Sequence, residues 1–283
     1  MSTLVRRRGS DSKTARTAPR TSGGGSRPPT GIVILGAVAA LLFVLPLIGL
    51  VIRVPWPDLG TYLADPRVLD ALWLSLVCSL GATVVCLVFG IPLAWLQVRV
   101  SFPGRGLLRA ITTLPVVLPP VVGGVALLLV FGRKGFVGEP LYNLTGISLP
   151  FTTAGTILAE AFVAMPFLIL TIGGALQSMD TRLEDAARTL SASRWTVFWR
   201  VTLPTIRPSL IAGTVLCWAR ALGEFGATIT FAGNFPGRTQ TLPLAVYVAL
   251  ETDTAAAITL SMVMLAISLG VLIGLRRHWF GVQ

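Results

Sequence analysis

Residues 183–204 read LEDAARTLSASRWTVFWRVTLP, a charged and amphipathic segment between two long apolar stretches. One helical face of this segment would carry four apolar residues at positions i, i+3, i+4 and i+7, namely Leu183, Ala186, Ala187 and Leu190. Connections between packed helices usually need only about 2–8 residues, so a segment of this length does more than reverse the chain. It predicts a docking element for a soluble partner, and the alternative is a membrane-surface loop without one.

The local pattern of the same segment predicts two helical pieces. Thr181, followed three residues later by Glu184, predicts a capping box at the start of the first piece. Glu184 also precedes Arg188 by four residues, which is the spacing of an intrahelical ion pair. A break is expected at 191–193 and an end at Pro204, because proline interrupts helices. The second piece is rich in aromatic residues: Trp195, Phe198 and Trp199.

The order and spacing of residues 185–204 resemble the EAA loop of bacterial ABC-importer permeases. That loop runs Glu-Ala-Ala, three residues, Gly, about nine residues, an aliphatic residue, one more residue, and Leu-Pro. The resemblance implies an ATPase-coupling loop at about 181–204, with the contact residues Asp185, Ala186, Ala187, Leu190, Ser191, Leu203 and Pro204. Asp185 replaces the Glu of the pattern and keeps its charge. Ser191 replaces the Gly, a residue that usually marks positive φ, which leaves open a different turn here.

Composition places the chain in a membrane. It is 53% hydrophobic and only 12% charged, whereas soluble domains carry about 25% charged residues. Runs of about 18 or more apolar residues are long enough to cross the hydrocarbon core as helices. Six runs meet this criterion, at 31–52, 71–98, 110–132, 151–179, 208–233 and 254–275. We therefore predict an all-α integral membrane protein with six transmembrane helices.

Residues 1–30 differ in kind from the rest of the chain. They are rich in Arg, Ser, Thr, Gly and Pro without apolar periodicity, which predicts a disordered basic tail ahead of one membrane domain at 31–278. The basic cluster at 6–8 before an apolar run can indicate a secretory signal. The run at 31–52 is longer than a typical signal and five more runs follow, so a retained helix is expected.

The basic residues predict the orientation, because Lys and Arg accumulate in cytoplasmic loops. With the N-terminus inside, seventeen of the 23 Lys and Arg residues lie on the cytoplasmic side, five lie outside, and Arg220 is within a span. Both termini and 183–204 are therefore predicted to be cytoplasmic, in a bacterial cell membrane. This topology accounts for the formal charge of +11 without nucleic acid. Binding of RNA or anionic lipid by the tail is the alternative.

No metal, redox or catalytic chemistry is predicted. Cys78, Cys86 and Cys217 fall within apolar runs at spacings that fit no metal site, and a buried thiol behaves as a small hydrophobe. The single histidine is His278, near the C-terminus. The chain also lacks a GxxxxGK[ST] loop for nucleotide phosphates. We therefore expect no enzyme activity and no bound cofactor, with ATP and Mg²⁺ held by a partner subunit.

The third apolar run contains Pro115, Pro119 and Pro120, followed by Gly123 and Gly124. Prolines remove backbone donors and kink helices. A bilayer tolerates such breaks where neighbouring groups or an aqueous cavity satisfy the freed carbonyls. Broken helices along a pathway are therefore favoured over ordinary kinks.

The fifth run carries charges at membrane depth, in Arg220-Ala-Leu-Gly-Glu224-Phe-Gly-Ala227. A charge there costs about 2.5–3.5 kcal/mol on insertion scales, so such residues are functional candidates. Either Arg220 contacts a divalent oxyanion in transit, or Arg220 and Glu224 form a pair that stabilises packing or a gate. The second is favoured because Glu224 would repel an oxyanion; Glu160, in the fourth run, receives no role. The candidate pathway or gate residues are Arg220, Gly223, Glu224, Phe225 and Gly226.

The same stretch, together with 228–234 and 240–247, resembles molybdate permeases and, more loosely, sulfate permeases. Over about 31–275 this resemblance implies a type I ABC-importer permease fold. It implies import of molybdate, with tungstate similar in size and charge, and with sulfate or thiosulfate as the alternative substrate. The implied partners are a second copy of this chain, a dimer of ABC ATPase subunits, an extracytoplasmic molybdate-binding protein and membrane lipid.

Two other classes of function are less well supported by the residues. An ion-coupled secondary transporter would use carboxylates such as Glu160 and Glu224, and would typically contain internal repeats, which the sequence does not clearly show. An intramembrane enzyme would need paired acids, a Ser/Lys or Ser/His pair, or a metal motif. The apolar runs offer one Arg, two separated Glu and no His. An ATP-driven importer is therefore the favoured function.

Overall fold

The computed structural model describes residues 29–279, with side chains described through Gly274. The predicted tail at 1–30 falls almost entirely outside these residues, as does the His278 side chain. Every regular element in the described part is helical, in agreement with the predicted class. A 3₁₀ turn occupies Trp56–Asp58 and a π-helical turn Phe198–Thr202. The α-helices are α1 (Thr30–Arg53), α2 (Leu59–Leu63), α3 (Pro66–Arg99), α4 (Arg105–Val117), α5 (Pro120–Phe131), α6 (Gly138–Thr145), α7 (Thr153–Ser178), α8 (Arg182–Thr189), α9 (Arg194–Val197), α10 (Leu203–Thr205), α11 (Arg207–Leu222), α12 (Gly226–Phe231), α13 (Leu242–Thr252) and α14 (Thr254–Trp279).

Four of the six predicted spans are single helices that are long and apolar enough to cross a membrane. Among the described residues these are Thr30–Arg53, Pro66–Arg99, Thr153–Ser178 and Thr254–Gly274. The predicted spans at 110–132 and 208–233 are each divided into two shorter helices. The break within 110–132 confirms the broken helix predicted there, whereas the break within 208–233 was not predicted. Six membrane crossings stay a prediction.

The third apolar run breaks at its paired prolines. The residue before a proline is pushed out of the helical region and into an extended conformation. Leu118 precedes Pro119 and has ψ 132°, and Pro119 precedes Pro120 and has ψ 129°. Two extended residues in succession end α4 and allow α5 to begin at Pro120, whereas Pro115 is accommodated inside α4.

The largest apolar core lies where α3, α7 and α11 pack together. Alanines allow the helices to approach closely, as is common between membrane helices. Larger side chains from α7, such as Leu168, Ile172 and Leu176, fill the space between them and are almost fully buried. The buried alanines of this core are Ala82, Ala94, Ala161, Ala164 and Ala221.

Two smaller cores hold the remaining long-range contacts. One joins α5, α7 and α12 through residues that include Leu127, Val163 and Phe231. The other joins the first turns of α3 to α13 and α14, with Leu242 and Leu260 at its centre. Helix α13 was not predicted, because its 11 residues are too few for a membrane span.

The described chain divides into two compact units, one up to Leu47 and one from Ile48 onward. The first consists of most of α1, a helix with no buried residue. The second contains the three cores and every residue of the candidate sites.

Candidate functional site

The 181–204 segment begins with α8, and its first turn is held by Asp180 rather than by Thr181. Asp180 Oδ1 accepts a hydrogen bond from the backbone N–H of Arg182 at 2.9 Å. Thr181 has helical backbone angles and its side chain makes no capping bond. The predicted capping box is therefore wrong, because Glu184, its second member, is directed elsewhere and is only 4% exposed.

Glu184 connects α8 to two distant parts of the chain. Its Oε2 lies 3.2 Å from Nε of Arg99, at the end of α3, in an ionic contact without hydrogen-bond alignment. Its Oε1 accepts a hydrogen bond from Thr202 Oγ1 at 2.7 Å. The predicted ion pair between Glu184 and Arg188 is wrong, because Arg188 lies 3.2 Å from Asp185 on the exposed side of α8. Glu184 thus fixes the position of α8 against the rest of the protein.

A left-handed turn centred on Ser191 ends α8. Ser191 has φ +62°, its N–H donates to Arg188 O at 2.9 Å, and the N–H of Ala192 donates to Ala187 O at 3.2 Å. These two bonds define a Schellman motif, in which glycine usually occupies the left-handed position. The family-like turn is therefore formed with serine in place of glycine, which answers the question that the sequence left open.

The second piece of the segment starts at α9, where Ser193 Oγ accepts a hydrogen bond from the N–H of Thr196. The predicted break and the aromatic piece are both confirmed. The predicted end at Pro204 is wrong, because helical structure continues through α10 and stops at Ile206, with ψ 7°. Pro204 lies directly after the π-helical turn Phe198–Thr202, an irregular turn in which the helix tolerates a residue without an N–H donor.

Aromatic rings join this second piece to α3. Phe198 stacks on Trp195 with ring centroids 5.9 Å apart and meets the edge of Trp199 at 5.4 Å. Its ring also lies 6.3 Å from that of Trp95 on α3, at nearly a right angle. Such pairs contribute about 0.5–1.5 kcal/mol beyond their buried area, so they add to the Glu184 contacts in holding the segment on α3.

The apolar face predicted for docking is exposed. Leu183 is 50% exposed and Leu190 84% exposed. The remaining predicted contact residues are exposed or half-buried: Asp185, Ala186, Ala187, Ser191, Leu203 and Pro204. A helix that folds onto its own core hides its leucines and shows its carboxylates. Because α8 hides Glu184 and shows Leu183 and Leu190, its apolar face is available to another molecule.

At the second candidate site, Arg220 and Glu224 form the predicted pair, with Nη2 2.6 Å from Oε2. The placement of the pair on one continuous helix is wrong, because α11 ends at Leu222 and Glu224 lies in the break. Glu224 is 1% exposed, and its Oε1 accepts a hydrogen bond from the N–H of Ala227 at 2.9 Å. One carboxylate therefore links the end of α11 to the start of α12.

The two helix breaks in the membrane domain meet at Gly226. A Cβ built on Gly226 would lie 2.8 Å from Cβ of Pro120, the first residue of α5. One turn later, a Cβ on Gly124 would lie 2.6 Å from Cβ of Thr230 and 2.9 Å from the carbonyl oxygen of Ala227. Glycine is thus required at both positions by close backbone approach. Gly223 has no comparable neighbour.

Glu160 of α7 adds a second buried carboxyl group beside this junction. It is 1% exposed, and its Oε2 has no hydrogen-bond partner among the described residues. It lies close enough to Glu224 for the two groups to interact electrostatically. Phe225, the last residue of the break, packs against Tyr247 of α13 with ring centroids 5.3 Å apart. The junction therefore involves α5, α7, α11, α12 and α13.

Sequence reasoning missed the partners that are distant in the chain. Arg99 and Thr202 carry no local signal for a contact with Glu184. The sequence indicates Gly123 and Gly124 as part of a broken helix, but not the contact of Gly124 with α12. Glycine next to paired prolines was the signal that could have suggested a close helix crossing.

Known proteins resemble this chain in both sequence and fold. The model of the family described as binding-protein-dependent transport system inner membrane component matches residues 86–280. The chain is 46% identical over 217 residues to the molybdenum transport system permease protein ModB of Escherichia coli K12, covering 77% of this chain and 94% of ModB. It is 38% identical over 233 residues to the sulfate transport system permease protein CysT of the same organism, covering 81% of this chain and 84% of CysT.

Among solved structures, the fold is similar to a chain in the crystal structure of a bacterial ABC transporter involved in the import of the acidic polysaccharide alginate. The TM-score is 0.70 at 18% identity, covering 90% of this chain and 96% of that chain. The family match and the long alignment with ModB lead to one conclusion. This chain belongs to the family of inner-membrane components of binding-protein-dependent transport systems.

Proposed function

We propose that this chain is the membrane-spanning permease subunit of an ATP-driven importer of molybdate. The observation that carries the proposal is that α8 exposes its apolar face while the buried Glu184 fixes the helix to Arg99 of α3. The identity of 46% with ModB, against 38% with CysT, favours molybdate over sulfate. Tungstate, which is similar to molybdate in size and charge, is a second candidate substrate.

Two copies of the chain would form the pathway, with both termini and the 181–204 segments on the cytoplasmic side. An ABC ATPase subunit would dock on each segment through Asp185, Ala186, Ala187, Leu190, Ser191, Leu203 and Pro204. ATP and Mg²⁺ would be held by those subunits. When the ATPase subunits close, the two α8 helices move together, and the Arg99–Glu184–Thr202 contacts pass that movement to α3 and to the π-helical turn that leads into α10 and α11. This is rigid-body switching of a bundle.

The junction at Glu224 would serve as the gate of the pathway. Irregular backbone at membrane depth persists only where it is buried in protein or lines a water-filled cavity, and two breaks meet here. Arg220 neutralises Glu224 in this state, so an oxyanion delivered by an extracytoplasmic molybdate-binding protein would meet no free positive charge to hold it. Weak retention suits a transporter, because strong binding slows release.

The decisive experiment is ATP-dependent uptake of radiolabelled molybdate in cells with the gene deleted and restored, with sulfate as competitor. Molybdate uptake should be lost on deletion, rescued by the intact gene, and little affected by sulfate. Loss of sulfate uptake instead would move the substrate to sulfate, the second candidate favoured by the similarity to CysT. Uptake that persists without ATP and follows the proton gradient would contradict the importer mechanism.

A further inference from the structure

A groove of about 870 Å³ runs between α3 and the aromatic part of the 181–204 segment, and Leu203 is the one predicted docking residue among the described residues that line it. Its α3 wall includes Val88, Ile91 and Leu96, and its other wall includes Trp195 and Phe198. Arg194 is the only charged residue among the described residues that line it. The groove is therefore apolar along its length, with a single cation.

Arg194 is exposed and makes no ion pair with any described residue, and the same holds for Arg182, Arg200 and Arg207, whereas Arg99 and Arg188 each contact a carboxylate. What distinguishes Arg194 is that it lines the groove. The neighbouring indole of Trp195 is 71% exposed, and that of Trp199 is 53% exposed. Tryptophan is enriched at the boundary between bilayer and water. Under the proposed topology, these features suit a cation at the membrane surface with apolar walls within the bilayer.

We propose that this groove binds one anionic phospholipid, with its phosphate at Arg194 and an acyl chain along α3. Charge complementarity supports an anionic headgroup, because no carboxylate among the described residues pairs with Arg194. An acyl chain also suits the walls because it brings no polar group, whereas an unwound peptide would bring N–H and C=O groups that the walls cannot satisfy.

A lipid in this groove would help to hold the 181–204 segment against α3. The cytoplasmic leaflet carries the negative surface charge of a membrane, so the proposal rests on the inward orientation given under the proposed function. A lipid seated here contacts α3 on one side and Phe198 on the other. It therefore supports the same connection that Glu184 and Arg99 make.

The test is native mass spectrometry of the purified permease–ATPase complex after incubation with equal amounts of phosphatidylglycerol and phosphatidylcholine. The wild-type complex should retain more phosphatidylglycerol than phosphatidylcholine. Arg194→Gln should lower that preference about fivefold, which corresponds to one cation near a charged membrane surface. Because the readout is bound lipid, failure here is distinguishable from failure of molybdate uptake.

Arg207→Gln is the matched control. Arg207 is also exposed, begins α11 on the same side of the membrane domain, makes no ion pair with a described residue, and does not line the groove. Its replacement should change the lipid preference by less than about twofold, well below the change expected for one surface cation. Equal effects of the two substitutions would overturn the proposal, because they would reflect general surface charge.

A second variant tests the groove itself. Val88 is 58% exposed and lines the groove, so Val88→Trp fills it without disturbing a core, and the melting temperature checks that the fold is retained. Retention of both lipids should fall while Arg194 is intact, and unchanged retention would overturn the proposal. A photo-crosslinking residue at position 88 should give an adduct of lipid mass. An adduct with the mass of a second copy would show that protein covers the groove instead.

Discussion

Glu224 uses the two oxygens of one carboxylate for two different purposes. Oε2 compensates the charge of Arg220, and Oε1 caps the first turn of α12. Loss of the charge and loss of the cap can therefore be separated by substitution, so Glu224 is the residue at which to test the proposed gate.

We expect Arg220→Ala and Glu224→Ala each to reduce molybdate uptake strongly. Breaking a buried pair by removing one partner typically destabilises by about 3–5 kcal/mol, because a charge is left without compensation. The double substitution should recover part of the uptake lost by either single one, since it leaves no uncompensated charge. Radiolabelled uptake and thermal unfolding measure the two effects. Glu224→Gln is the control that retains an acceptor for Ala227.

A double variant as inactive as Arg220→Ala would contradict the neutralising role. That outcome would favour direct contact between Arg220 and the oxyanion, the alternative that the sequence left open.

Ser191 occupies a backbone conformation that L-residues other than Asn and Asp rarely adopt. A left-handed residue with a Cβ costs about 1–2 kcal/mol relative to the right-handed form. Ser191→Gly should therefore stabilise the protein by about 1 kcal/mol, measured as a rise in melting temperature. Ser178→Gly, at the last residue of α7, is the control and should not stabilise the protein, because a right-handed helical residue gains nothing from the left-handed freedom of glycine. Destabilisation by Ser191→Gly would contradict the Schellman turn.

At the scale of elements, α8 buries a charged residue, Glu184, against the protein and exposes its apolar face. A surface helix normally does the opposite, and an exposed apolar face is what docking to a partner requires. Its stability in this chain comes from Glu184, the Schellman turn and the aromatic contacts of the next piece, because isolated helices of this length are marginal in water.

Ala186→Glu should leave the permease folded and separate ATP hydrolysis from uptake. Ala186 is exposed on α8, so a larger charged side chain would disturb the proposed docking surface without entering a core. The measurement is ATPase activity and molybdate uptake of the same reconstituted complex. Thr189→Glu adds the same charge to another exposed position of α8, outside the predicted apolar face, and should have the smaller effect. Unchanged coupling in Ala186→Glu would count against docking there.

The contact of α5 with α12 depends on two glycines. Gly226→Ala places a Cβ against Pro120, and overpacking of this kind costs about 1–3 kcal/mol. We expect a lower melting temperature and reduced uptake. Gly174→Ala is the control, because Gly174 is a helical glycine of α7 with open space around its Cβ position. It should be neutral or stabilising by up to about 1 kcal/mol, and a similar loss in both variants would contradict the proposed close crossing.

At the scale of the whole molecule, the orientation rests on the distribution of basic residues. A cysteine introduced at Arg182 should react with a membrane-impermeant maleimide only in inverted vesicles. One introduced at Lys134, between α5 and α6, should react in right-side-out vesicles. The native cysteines are buried, so background labelling is expected to be low. The opposite pattern would reverse the predicted topology and place α8 outside, where no ATPase could reach it.

The sequence by itself determined the features that depend on composition and on residues close in the chain. Apolar runs longer than a bilayer core define α1, α3, α7 and α14, because the length of a helix and the thickness of the bilayer leave little choice. Paired prolines located the break before α5. The spacing of Arg220 and Glu224 was sufficient for their contact, even though the helix does not continue between them.

Only the tertiary structure decided which distant residues meet and which face of each helix turns outward. Glu184 had a local partner of good spacing in Arg188, yet it pairs with Arg99, because burial rewards compensation of a desolvated charge more than an exposed intrahelical pair. The meeting of Pro120 with Gly226 depends on how α5 and α12 cross. Many rotations and crossings satisfy the same apolar pattern, and the choice among them is made by packing of all the helices at once.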